Sequence, residues 1–323
     1  MTNRTGSRGD AVTNHERDSA AEDHRDSLTG SRRDFLKAAA AAAAALALPL
    51  PLAGCAPDAQ GSAPGETNQG EAKLGVIKLG VASYSLRELS RADAIAAIQA
   101  LRAPYVSIKS MHLPYETTPR ELAAGREEFE SAGLTIVGGG VITLQQDDDD
   151  DIRTYFDYAR ASGMPLMVIA PSATTLPRIE RFVIEYDIEV AIHNHGPGDL
   201  HFPGPRDALP IIRDMDPRVG VCVDLGHTTR TGVDIVEALE EAGDRVLDVH
   251  VKDLKDLLAA ESQCIVGEGA MPFPAIFHQL VDMGYSGYVN LEYEIDAQDP
   301  LPGMLQSFAY MRGVLAGAGI AEG

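Results

Sequence analysis

From Lys78 onward, short apolar runs of four to six residues recur, each separated from the next by a longer stretch with helix-like spacing of apolar positions. The runs are Leu79 to Ala82, Tyr105 to Lys109, Leu134 to Val137, Leu166 to Ala170, Glu189 to His193, Val219 to Asp224, Val246 to Val251 and Tyr288 to Glu292. Their richness in Val, Ile and Tyr predicts strands. Eight strands at roughly 22- to 42-residue intervals, each followed by helix-compatible sequence, predict an α/β chain folded as a (β/α)8 barrel of about 250 residues. An open doubly wound sheet would carry a Gly-rich phosphate turn after its first strand, and Val81-Ala82-Ser83-Tyr84 is not one. Gly138-Gly139-Gly140 lacks that spacing too and predicts a loop that lets backbone approach closely. Asp147 to Asp151 lack the alternating ligands of a calcium loop, so they predict a loop feeding acids into the next helix.

The N-terminal pattern differs. Residues 1 to 30 are polar and nearly free of large apolar side chains, which predicts disorder. Ser31-Arg32-Arg33-Asp34-Phe35-Leu36-Lys37 then precedes an uncharged run from Ala38 to Pro51 and the box Leu52-Ala53-Gly54-Cys55. The run is about 15 residues, short of the ~20 a membrane span needs. The order resembles a twin-arginine signal followed by a lipoprotein cleavage box. That resemblance implies export in the folded state, often with a cofactor loaded inside the cell, and lipidation at Cys55, which would anchor the mature protein to a membrane facing the periplasm or cell exterior. The expected organisation is a signal over 1–54, a flexible linker over 55–75 and a catalytic barrel over 76–323.

Charge narrows the partners. The 323 residues carry a formal net charge of −21, and residues 1–54 are balanced, so the excess lies beyond them. Such a surface repels phosphate backbones, which excludes nucleic acid as a partner and disfavours phosphorylated substrates. The three cysteines, Cys55, Cys222 and Cys264, match neither a zinc knuckle nor a redox pair. Cys222 reads as a small core residue, and Cys264 pairs with it only if geometry allows. With no Trp in the chain, sugar stacking would fall to Tyr84, Phe202 or Phe273.

Chemistry collects at the ends of the late strands, which in a barrel of this kind face the catalytic mouth. There stand His193-Asn194-His195, Asp224 with His227, His250 with Lys252 and Asp253, and Glu292 with Glu294. Imidazoles and carboxylates without a thiolate suit Mn, Co, Zn, Fe or Ni. His193 and His195 share a face only if the strand extends that far.

The motifs Ile192-His193-Asn194-His195, Val223-Asp224-Leu225-Gly226-His227, Val249-His250-Val251-Lys252-Asp253, Gly267-Glu268-Gly269 and Asn290-Leu291-Glu292 resemble the xylose isomerase-like TIM-barrel superfamily over residues 76 to 316. That superfamily includes D-tagatose 3-epimerase, hydroxypyruvate isomerase, inosose dehydratase and endonuclease IV. The resemblance implies one divalent metal, manganese first, held by Asp224, His250 and Glu292, with His193 standing where relatives often carry Glu and His195 the second candidate. It implies Glu292 as ligand and base, His227 on substrate oxygens, and His112, His195, Lys252 and Glu268 around the substrate. The missing Glu is one of two opposed acid/base residues in the epimerases.

The expected activity is isomerisation or epimerisation of an unphosphorylated keto-sugar or cyclitol through an enediolate. The nearest rival is a 3-keto-glycoside lyase or hydratase on the same site, since elimination needs no second base. Phosphodiester cleavage needs several metals and a basic face, which the charge opposes. A non-catalytic sugar-binding lipoprotein would have no use for the ligand set. Self-association into a homo-oligomer is compatible with the sequence.

Overall fold

The computed structural model describes residues 75–323; the export signal, Cys55 and nearly all of the expected linker lie outside the described residues. Eight parallel strands form a closed barrel: β1 (Val76–Ala82), β2 (Tyr105–Ile108), β3 (Thr135–Leu144), β4 (Leu166–Pro171), β5 (Glu189–His193), β6 (Val219–Asp224), β7 (Val246–Val251) and β8 (Tyr288–Leu291). Each pairs with its sequence neighbours, and β8 closes on β1 through Lys78 opposite Tyr288 and Val81 opposite Leu291. The expected α/β barrel is the observed fold.

Helices connect the strands: α1 (Arg91–Leu101), α2 (Pro119–Ser131), α3 (Asp149–Ser162), α4 (Leu176–Tyr186), α5 (Pro205–Ile212), α6 (Leu225–Arg230), α7 (Ile235–Ala242), α8 (Phe273–Asp282) and α9 (Leu301–Ala318). Local chemistry sets their starts. Thr118 and Glu121 form a capping box with Pro119 in the first turn of α2. The aspartate run does what its spacing predicts: Asp148 caps α3 by accepting from the backbone N–H groups of Asp150 and Asp151. Each such cap stabilises a helix by about 1 kcal/mol.

Alternation along the strands divides the apolar residues into two layers. Val219, Val221 and Val223 of β6, like Val190 and Ile192 of β5, join the large core between sheet and helices. Leu166, Val168, Ala191 and Cys222 form a small cluster of their own inside the barrel. The same inner face carries the polar residues of the mouth one layer above.

The triglycine departs from expectation. Gly138 to Gly140 lie within β3 rather than in a loop, and β3 runs well past the predicted end at Val137. The register against β4 shifts between Gly139 and Ile142, and Gly140 has φ +137°. A Cβ on Gly140 would sit 2.0 Å from Val168 O, so the expected close approach is real but serves an irregular strand.

Beyond β7, Asp253–Leu254 pairs antiparallel with Gln263–Cys264. Cys222 and Cys264 are both buried and free.

Candidate metal centre

Four ligand-type side chains meet at the C-terminal end of the barrel. His193 and Asp224 are the last residues of β5 and β6, His250 lies one residue before the end of β7, and Glu292 follows β8. All point inward because the register aligns Asp224 with His250 and His250 with Asn290, two residues before Glu292. His193 Nε2 lies 3.1 Å from His250 Nδ1, 3.6 Å from Asp224 Oδ2 and 4.0 Å from Glu292 Oε2. His250 Nδ1 lies 3.3 Å from Glu292 Oε2. One ligand atom from each of the four falls within 4.8 Å of the others, and all four residues are buried.

The set fits a divalent cation. Asp224 spends Oδ1 on the backbone N–H of His227, 2.7 Å away, as the N-cap of α6. Its Oδ2 is buried and accepts no hydrogen bond, although an ammonium lies nearby. Two imidazole nitrogens and two carboxylate oxygens directed at one small volume repel one another unless a proton or cation stands among them.

Electrostatics sharpen this picture. Burial pushes the His193 imidazole down to about 3, so it is neutral and one ring nitrogen carries a lone pair. Burial alone would raise the Asp224 and Glu292 carboxyls, but Lys252 leads the groups that outweigh it, and both are held well below the usual range. Burial would lower His250, yet the Glu292 and Asp248 carboxylates are among the groups that hold it well above its ordinary value. A cation held by these four residues would compete with a proton on His250.

Lys252 is 1% exposed, and its Nζ lies 3.0 Å from Asp224 Oδ2, 2.9 Å from Glu292 Oε2 and 3.1 Å from Glu294 Oε2. The same nitrogen lies 3.2 Å from His227 Nε2. Burial pushes His227 down to about 4. The structure thus brings His227 and Lys252 to the cluster, where the ammonium faces protein groups on several sides.

The remaining predicted residues stand further out. His195 lies beyond the end of β5, with its side chain 40% exposed and paired with Asp199 at 3.2 Å, so His193 is the inward residue of the pair. The rings of the two histidines are 4.5 Å apart. His112 is buried after β2, with Nδ1 3.0 Å from Ser83 Oγ. Glu268 is exposed in a loop that its flanking glycines hold in place, since Gly267 and Gly269 donate backbone N–H bonds to the Asp253 carboxylate. Phe273 is fully buried against Phe277 and Tyr310, which removes it as a stacking platform.

Two supporting residues carried no role in the sequence reading. Asn194 accepts from Asp224 N at 3.0 Å and donates to Thr228 Oγ1 at 3.0 Å, tying β5 to β6 and α6. Asp248 accepts from Asn290 Nδ2 at 2.8 Å and lies 3.5 Å from His250 Nε2, an ion pair longer than a good hydrogen bond. The signal was there, since Asp248 precedes His250 by two and so shares its face.

A cavity of about 360 Å³ opens beside His193, walled by Gln145, Pro171, His195 and Phe202 among others. A larger one, about 440 Å³, lies at the opposite end of the barrel around Tyr285 and Leu166. Of the four cluster residues, His193 lines the first cavity, and none lines the second.

Comparison with known proteins agrees with this arrangement. The twin-arginine translocation signal family matches residues 31–49, so the chain is addressed for export across a membrane. An inosose dehydratase of Geobacillus kaustophilus is 31% identical over 151 residues, covering 42% of this chain and 48% of that protein. Across such curated relatives the match spans 40% to 65% of their length. The crystal structure of an IOLI protein with a bound zinc atom superposes with a TM-score of 0.64 at 17% identity, covering 75% of this chain and 99% of that one. The Escherichia coli 3-keto-D-glucoside 4-epimerase YcjR superposes with a TM-score of 0.59 at 18% identity, covering 73% and 99%. The family described as xylose isomerase-like TIM barrel matches residues 92–314, most of the described barrel, and the chain belongs to that family.

Proposed function

We propose that this chain is a divalent-metal enzyme that removes the proton next to the carbonyl of an unphosphorylated keto-sugar or cyclitol, passing through an enediolate. The observation that carries this reading is the convergence of His193, Asp224, His250 and Glu292 at one end of the barrel. When bound, the ion, with manganese or zinc foremost, supplies Lewis acidity to a carbonyl and its neighbouring hydroxyl. The chain's own residues do the rest. Glu292, held ionised, takes the α proton and returns it. Lys252 fixes the Glu292 carboxylate at 2.9 Å, and neutral His227 stands beside it to bind sugar oxygens. The overall result is isomerisation or epimerisation.

One observation favours elimination as a second outcome. Asp224, Glu292 and Glu294 gather around Lys252, and the place across from Glu292 is held by His193 rather than a carboxylate. Proton exchange on two faces therefore lacks its opposed carboxylate pair, whereas expulsion of a β leaving group from the enediolate needs one base. Several relatives bear the name inosose dehydratase, in keeping with this outcome.

NMR of the mature domain loaded with Mn²⁺ in D2O, with unphosphorylated ketoses and a 3-keto-glucoside, tests both. Deuterium entering beside the carbonyl with the aglycone retained supports the isomerase, and release of the aglycone supports the lyase. No exchange with any metal sinks the proton-transfer reading. We propose in addition that Cys55 is lipidated and anchors the exported protein, which Cys55→Ala tests by releasing it from the membrane fraction.

A further inference from the structure

The surroundings of Lys252 match those of a metal ion in the number and kind of their donor atoms. Three carboxylate oxygens and one imidazole nitrogen lie within 3.2 Å of its buried ammonium. Asp, Glu, Glu and His form a donor set for a divalent cation. Two of those oxygens, Asp224 Oδ2 and Glu292 Oε2, also face His193 and His250. Asp224 and Glu292 thus stand between two cation positions, one framed by imidazoles and one filled by Lys252. We propose that the Lys252 ammonium takes the place of a second metal ion, holding to one ion a centre with side chains enough for two.

This rests on the metal reading above, and charge supports it. Asp224, Glu292 and Glu294 supply three negative charges, which one dication and one ammonium balance. Burying a lysine against carboxylates costs desolvation that a well-packed apolar side chain would avoid, so the arrangement implies a function beyond stability. A covalently tethered cation cannot exchange with solvent, and it supplies hydrogen-bond donors without Lewis acidity. One Lewis acid suffices to stabilise an enediolate, whereas in-line phosphoryl displacement commonly uses two metals. Lys252 thereby commits the site to carbonyl chemistry and repels any ion in the neighbouring position.

Metal stoichiometry tests the proposal without any substrate. Wild-type protein, Lys252→Ala and Lys252→Arg are stripped, loaded with Mn²⁺, desalted and counted by mass spectrometry, with affinities from calorimetry. Wild type and the arginine variant should hold one ion per chain. The alanine variant should take up a second, visible as spin coupling in the Mn²⁺ resonance, and bind the first at least tenfold more tightly. An alanine variant that stays at one ion with unchanged or weaker affinity overturns the proposal alone, as does a wild type that holds two. A wild type that holds none overturns it together with the metal reading. Lys252→Met keeps the volume of the stem and carries the test should the alanine variant not fold; it should tighten the single ion at least tenfold, and unchanged affinity overturns the proposal.

Discussion

At the residue scale, the centre is a set of side chains whose ionisation is decided by burial and by one another. Glu292 carries the proposed proton transfer, so Glu292→Gln should lower deuterium exchange by about 10²- to 10⁴-fold. Metal content measured on the same sample separates loss of the base from loss of the ion. His193 makes a prediction of opposite kind. Its folded value near 3 lies below the ordinary 6.5, so the unfolded chain binds the proton more readily. Its contribution to stability is complete above about pH 6.5 and is lost as pH falls toward 3. In metal-free protein the step from pH 6.5 to pH 5 should cost about 2 kcal/mol through His193. His250, held above its ordinary value, runs the other way. The pH slope of denaturant midpoints should therefore flatten in His193→Asn relative to wild type, and an unchanged slope would show that His193 is not buried neutral.

At the scale of elements, the alternation of two along each strand decided what was legible. In Val223-Asp224 and Val249-His250 that alternation turns the valine to the outer core and the next residue to the mouth, which the strand-end positions of Asp224 and His250 in the sequence already marked. The partners of Lys252 were not legible, because they depend on how the chain turns after β7 and on which way Glu294 points after β8. The triglycine misled for a related reason: glycine permits both a loop and an irregular strand, and only the close approach to Val168 tells them apart. The loop after β7 is equally dependent on a single side chain. Asp253 accepts from the backbone N–H groups of Leu254, Gly267, Gly269 and Met271. Asp253→Ala orphans those donors and should destabilise the protein by about 2 to 4 kcal/mol. Hydrogen exchange should rise first in residues 263–271; protection lost evenly across the barrel would contradict this local role.

At the scale of the molecule, the four ligand side chains come from β5, β6, β7 and the end of β8, spanning residues 193 to 292. No local segment can assemble them, so an ion at the proposed site would bind the folded barrel and not the unfolded chain. A hundredfold excess of metal over its dissociation constant should then stabilise the fold by about 2.7 kcal/mol. In a domain of this size that raises Tm by roughly 5 to 10 °C, and a chelator should reverse it. A Tm indifferent to metal would mean that the cluster is satisfied by protons alone.

The same scatter of residues bears on where an ion at the proposed site would be acquired. A site that exists only after β8 has closed against β1 cannot be loaded on a nascent or threaded chain. The twin-arginine signal, by the resemblance drawn from the sequence, implies export in the folded state. If the proposed site is filled before export, the ions competing for His193, Asp224, His250 and Glu292 are those of the compartment of synthesis, and the metal is chosen there rather than outside.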